Sequence, residues 1–154
     1  MLTSGFVGIT IKNRITKKYQ FFVNFDRFLN YLTINIAFFQ KRLTLCVSNF
    51  ANESSSKDMF YFDLEKCLKA NNFSKESVTN LLSKTLSNQE ALQIAEFLIE
   101  LSSSPEHQVE ELISKEQSII KSKLQEYSQK QKSVGSLAQK LSLCVGAIIC
   151  ILIY

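Results

Sequence analysis

Residues 21–50, FFVNFDRFLNYLTINIAFFQKRLTLCVSNF, decide the fold class. Within them Phe22, Phe25, Leu29, Leu32, Ile36, Phe39, Leu43, Cys46 and Phe50 recur in alternating steps of three and four, the spacing that keeps side chains on one stripe of an α-helix. The pattern predicts one long helix with a buried seam. Phe21, Phe28, Tyr31, Ile34, Phe38 and Leu45 widen the stripe beyond a two-position coiled-coil seam. Such a helix is expected to touch several neighbours in a bundle core.

Downstream, the punctuation is that of shorter helices. Asn52 to Asp58 is a polar break, after which Phe60, Leu64, Cys67 and Leu68 fall at helical spacing between Met59 and Leu68. Ser74 stands as an N-cap before a helix bearing Val78, Leu81, Leu82 and Leu86, because its hydroxyl can accept from the free amides of a first turn. Ser87 and Asn88 with Glu90 offer another start, and Leu92, Ala95, Leu98 and Ile99 carry that helix to about Ser102. Pro105, with Ser104 as its cap and Glu106 behind it, then opens the last and longest helix, through Val109, Leu112, Ile113, Ile120, Leu124, Tyr127, Val134, Ala138 and Leu141. With 4 Gly and 1 Pro in 154 residues, long uninterrupted elements are what the composition permits. The predicted class is all-α, an antiparallel helical bundle whose long C-terminal helix runs into a transmembrane segment.

That segment is the apolar stretch 134–154. From Leu141 the chain has no charged residue, and Val145, Gly146, Ile148, Ile149, Ile151, Leu152 and Ile153 are the core of the expected anchor. Counted from Leu141 alone it is short of the ~30 Å hydrocarbon core. Counted from Val134 it spans, with Gln139 and Lys140 as strongly polar exceptions and Lys140 reaching back toward the headgroups. A buried C-terminal core helix is the competing reading, although residues 143–154 are apolar all round, whereas a helix of a small bundle keeps one wet face. Gly135, Ser136, Ala138, Ser142, Gly146 and Ala147 are small enough for another membrane helix to approach, and ordinary tolerance of small residues in spans accounts for them equally well.

The formal charge of +4 is unevenly spread. Lys12, Arg14, Lys17 and Lys18 all precede the first acid, Asp26, and Lys132 and Lys140 stand near the other end. These are the expected membrane-flanking cations, facing anionic lipid; a nucleic-acid partner would call for a broader basic face. Residues 1–16 form an apolar then basic N-terminal segment, a truncated membrane helix or an interfacial one. Residues 17–133 are the expected bundle, and the positive-inside tendency puts it in the cytosol with both ends of the chain directed outward.

Catalysis has no seat in the sequence. No phosphate-binding glycine loop, dinucleotide fingerprint, nucleophile elbow or zinc-protease motif occurs, and no metal or cofactor is called for. His107 lies among Glu106, Glu110 and Glu111, which reads as a solvated acidic first turn. The cysteines at 46, 67, 144 and 150 have neither CxxC spacing nor a disulfide framework, consistent with a reducing compartment for the bundle.

The order of elements, a basic stretch, a long heptad helix, short middle helices, a long returning helix and a terminal apolar segment, resembles the stage III sporulation protein AB family. The resemblance is most specific at Lys130-Gln-Lys-Ser-Val-Gly-Ser-Leu-Ala-Gln-Lys-Leu-Ser-Leu-Cys-Val-Gly-Ala-Ile-Ile-Cys-Ile-Leu-Ile153, where Leu141 and Gly146 fit the family's glycine-bearing turn into the membrane. Ser142 stands at that turn's usual first glycine. Leu29, Leu32, Ile36, Phe39 and Leu43 match the long-helix pattern, and residues 81–86 with Gln93 the middle segment. Asn35 replaces the acid usual before Ile36. The family begins with a full membrane helix, which residues 1–11 do not supply.

The resemblance implies a cytosolic helical domain similar to that of type II secretion F proteins. It further implies a non-enzymatic place in the mother-cell membrane complex that joins mother cell and forespore, with a cytosolic sporulation ATPase and sister membrane proteins as partners. Membrane lipid is the other expected partner, and self-association into a homo-oligomer is left open. The alternative is a membrane-anchored helical adaptor for a soluble helical partner, unrelated to sporulation.

Overall fold

The computed structural model describes the backbone of residues 3–39, 43–53 and 59–153, with side chains at 12–35, 43–53, 59–105 and 107–133. These residues form α1 (Thr3–Phe39), α2 (Leu43–Glu53), α3 (Met59–Lys69), α4 (Lys75–Leu82), α5 (Asn88–Ser103) and α6 (Glu106–Ile153). No strand occurs among the described residues, and the all-α class stands.

The frame is a stem of two long helices, α1 of 37 residues and α6 of 48. Three contacts fix their sense: Gln131 donates to Thr16 at 3.4 Å, the Phe22 and Tyr127 rings stack at 5.4 Å, and Gln117 donates to Asn30 at 3.0 Å. Numbers rise along one helix as they fall along the other, so the pair is antiparallel. On α6 the buried positions Val109, Ile113, Glu116, Ile120 and Tyr127 keep the three-four spacing of a seam, and Phe22, Leu29 and Leu32 supply the facing stripe.

The heptad pattern of residues 22–50 is not one helix. Phe50 lies with its ring centroid 5.1 Å from that of Phe28 and 5.5 Å from that of Tyr31, whereas a continuous helix would hold residues 28 and 50 roughly 33 Å apart. The chain turns back between α1 and α2, and the described members of the stripe are buried or partly buried on both arms, Ile36 and Phe39 lying outside the described side chains. Periodicity reports which face is buried, not whether the helix is broken, so the two arrangements leave the same trace in sequence.

The broad stripe does meet several neighbours. Phe21 packs on Phe60 of α3 at 5.4 Å, Phe25 on Phe97 of α5 at 6.3 Å and Phe28 on Tyr61 of α3 at 5.2 Å. Phe22, Phe25, Phe28, Leu29 and Leu32 are essentially sealed from solvent, each stabilising the bundle by about 1.5–3 kcal/mol relative to an exposed side chain. Ile34 and Leu45 depart from the expectation, being 60% and 53% exposed. Both lie on the solvent-facing sides of their helices. Phe38 lies outside the described side chains.

The short helices are set by local chemistry. Asn71 has φ of 52° and ends α3, with the Asn72 amide bonded to the Cys67 carbonyl at 3.1 Å; asparagine tolerates this left-handed stop better than most residues. Ser74 caps α4 as read from sequence, its hydroxyl accepting from the Ser77 amide at 3.2 Å. Ser74→Ala is expected to cost about 1 kcal/mol, read as a lowered urea midpoint at unchanged slope. Ser104, in contrast, does not cap α6: its hydroxyl donates to the Glu100 carbonyl at 2.7 Å, at the end of α5. The first turn of α6 is closed by a backbone bond from Gln108 to Pro105 at 2.9 Å, so the proline sits one place earlier than the spacing implied.

Candidate functional site

The antiparallel stem sorts the expected site residues by position. Thr16 touches Gln131, so Lys12, Arg14, Lys17 and Lys18 on α1 and Lys130 and Lys132 on α6 gather at one end of the bundle. Lys12, Arg14, Lys17, Lys130 and Lys132 are exposed there. The anchor residues Leu141, Val145, Gly146, Ile148, Ile149, Ile151, Leu152 and Ile153, and Lys140 with them, lie outside the described side chains; the helical backbone of α6 continues through Ile153. Among the described residues no helix is long and apolar enough to cross a membrane.

Lys18 departs from its neighbours. Its side chain is 23% exposed and its ammonium sits 2.9 Å from Glu90 Oε2, so it acts as an internal ion-pair partner. Glu90 enters this arrangement because α5 starts there: as third residue of the helix it reaches back to the Ser87 amide at 3.0 Å and accepts from the Ser87 hydroxyl at 2.6 Å, the carboxylate half of a capping box. Its other oxygen accepts from the Tyr127 hydroxyl, and Lys18 also donates to that hydroxyl at 3.3 Å. One buried carboxylate thus ties α1, α5 and α6 at the level where the cations gather.

Burial alone would push the Glu90 carboxyl up, but hydrogen bonds from the Ser87 hydroxyl, Tyr127, Lys18 and the Ser87 amide outweigh it and hold it at about 2. Burial and the neighbouring Glu90 carboxylate raise Tyr127 in turn, so its phenol stays protonated. Lys130 lies 5.2 Å from the centre of the Tyr127 ring and bonds Glu126 at 2.6 Å.

A second buried acid lies further along the seam of α6. Glu116 is 5% exposed and its Oε1 is buried with no hydrogen-bond partner. Burial pushes its carboxyl up to about 7, opposed only in part by Lys115. Glu116 interrupts an otherwise apolar seam, and that break in pattern was the available signal. Glu90 was legible only as a cap residue, since its partners stand 72 and 37 positions away in the chain.

Asn35, which stands where the resemblance expects an acid, donates to the carbonyl of Tyr31 at 2.8 Å. Its amide is turned back onto its own helix. His107, Glu110 and Glu111 are exposed at the start of α6, and among the described residues no group of acids, histidines and cysteines is placed to hold a metal ion.

These features define a class: an all-α protein on an antiparallel two-helix stem, whose organised polar chemistry is a structural tie between helices. The family model for stage III sporulation protein AB (spore_III_AB) matches residues 1–154, the whole chain. The chain belongs to that family, and its role lies in stage III of sporulation. No curated protein and no solved structure matches it.

Proposed function

We propose that this protein is a non-enzymatic, membrane-anchored scaffold of the stage III sporulation machinery, with residues 17–133 as its cytosolic bundle on the mother-cell side. The observation that carries the reading is the antiparallel stem. From the contact of Thr16 with Gln131, α1 runs back toward the apolar residues 1–11 and α6 runs on into the apolar residues 134–154. Both apolar stretches therefore leave the bundle at the same end, where Lys12, Arg14, Lys17, Lys130 and Lys132 are exposed. Apolar helix behind a collar of cations is the arrangement expected at the cytosolic face of a membrane.

The anchor is the helix from Val134, with Lys132 and Lys140 at its cytosolic approach and Tyr154 on the far side. The bundle then stands off the surface as a platform for a cytosolic ATPase and for sister membrane proteins of the same complex. Two measurements test this. Alkaline carbonate extraction of membranes should leave the chain in the pellet; its release into the supernatant would remove the anchor. Affinity capture of the tagged chain from sporulating cells should recover a sporulation ATPase or a sister membrane protein, and recovery of neither would sink the scaffold.

A further inference from the structure

A groove of about 610 Å³ lies between α1, α3 and the turn joining α4 to α5, lined by Lys17, Gln20, Phe21, Phe60, Leu81 and Lys84 among others. We propose that it receives the phosphate headgroup of an anionic phospholipid, with Lys17 and Lys84 as the cationic contacts. The proposal rests on the membrane-anchored reading above and names the lipid class that the same end of the bundle selects.

Charge is the first argument. Lys18, Lys66, Lys69, Lys75, Lys123 and Lys130 all sit in ion pairs, whereas Lys17 and Lys84 are in none among the described residues. Asp63 is the acid in the lining, and it faces Lys66 at 3.7 Å. Two uncommitted ammonium groups therefore border one groove, a setting that favours an anion.

Position is the second. Lys17 adjoins Lys18, which is tied to Glu90 at the start of α5, so the turn carrying Lys84 lies at the same end of the bundle as Lys17. On the stem, Thr16 stands beside Gln131, three residues before Val134. Lys17 is thus roughly 6 Å along the helix axis from the level where the span begins. That is inside the Debye length of ~8 Å and within reach of a lysine side chain.

The wall chemistry distinguishes a lipid from a bare anion. Tyr19, Phe21, Phe60 and Leu81 line the groove beside the lysines, and a free phosphate would leave that apolar wall uncovered. A phospholipid presents phosphate and apolar chain together. Gln20 and Thr85 add hydrogen-bonding groups for ester and glycerol oxygens.

The test uses the full chain in mild detergent, with retained lipid counted by native mass spectrometry after addition of phosphatidylglycerol or phosphatidylcholine. Phosphatidylglycerol should be retained in preference. The Lys17→Gln/Lys84→Gln double variant should weaken its retention on the order of tenfold to thirtyfold, at about 1 kcal/mol per lysine. Lys121→Gln, an exposed lysine further along α6 and outside the groove, should leave retention unchanged. Equal retention of the two lipids, an undiminished double variant, or an equal loss in Lys121→Gln would each overturn the proposal. So would displacement of phosphatidylglycerol by equimolar inorganic phosphate, which would mark a free-phosphate site. Failure of the underlying reading looks different: the wild-type chain would then leave vesicles of either lipid on carbonate washing, whatever its headgroup preference.

Discussion

Replacing Glu90 with alanine is expected to destabilise the bundle by about 3 kcal/mol at neutral pH, seen as a large drop in the urea midpoint of the full chain in mild detergent. The carboxylate accepts from Lys18, from the Ser87 amide and hydroxyl, and from Tyr127. Its loss leaves the Lys18 ammonium and the Tyr127 hydroxyl without their shared acceptor and uncaps α5. Removing one member of a buried, hydrogen-bonded charge pair costs about 3–5 kcal/mol, and the lower figure applies because the Lys18 side chain keeps 23% of its surface in water.

The wild-type pH profile should carry the same signature. The folded Glu90 carboxyl is held at about 2, below its ordinary 4.5, so its contribution is complete above pH 4.5 and is lost as pH falls toward 2. Glu90→Gln should flatten that acid limb. A variant as stable as the wild type at pH 7 and equally acid-sensitive would show that the tie contributes nothing to the fold.

Glu116→Leu is the second large effect, of opposite sign. Glu116 sits 5% exposed in the α6 seam with Oε1 unpartnered, and its carboxyl is raised from 4.5 to about 7. A group raised in the folded state contributes fully below its unfolded pKa and loses that contribution as pH rises, here from about 4.5 to 7. Above pH 7 the protein carries a buried, uncompensated charge. Leucine at that register fills the seam without it and should stabilise the bundle by about 2 kcal/mol at pH 8. At pH 5, where the wild-type acid is protonated, the gain should shrink to less than about half. A gain independent of pH would attribute the effect to packing alone, and a loss would mean that the Glu116 carboxyl is satisfied within the folded chain.

Taken together, the two acids shape the stability profile from opposite sides. Glu90 stabilises as pH climbs from 2 toward 4.5 and Glu116 destabilises from 4.5 toward 7. Their joint contribution is greatest near pH 4.5 and declines toward neutrality. The double variant Glu90→Gln/Glu116→Leu should lose both limbs.

Much of this protein was legible in its sequence, because the signals involved are local. The helical period of residues 22–50, the cap at Ser74, the start at Ser87 and the stripe along residues 109–127 each depend on side chains within a few turns of one another, and each appears in the structure as helix, cap or buried face. The family was legible for the same reason, since an order of elements survives where contacts cannot be seen.

What only the tertiary structure decided is everything that joins distant residues. The break that folds Phe50 onto Phe28 leaves the heptad pattern intact on both arms, so no period could reveal it. Lys18 looked like one more membrane-facing cation until the fold set it against Glu90, and Glu90 looked like a cap until Tyr127 closed over it. The register that sets Thr16 beside Gln131 brings the two cationic clusters together and directs both apolar stretches to one end. A sequence records which face of each helix avoids water; the pairing of those faces is settled by packing across the whole chain, and the charges that meet there take their meaning from it.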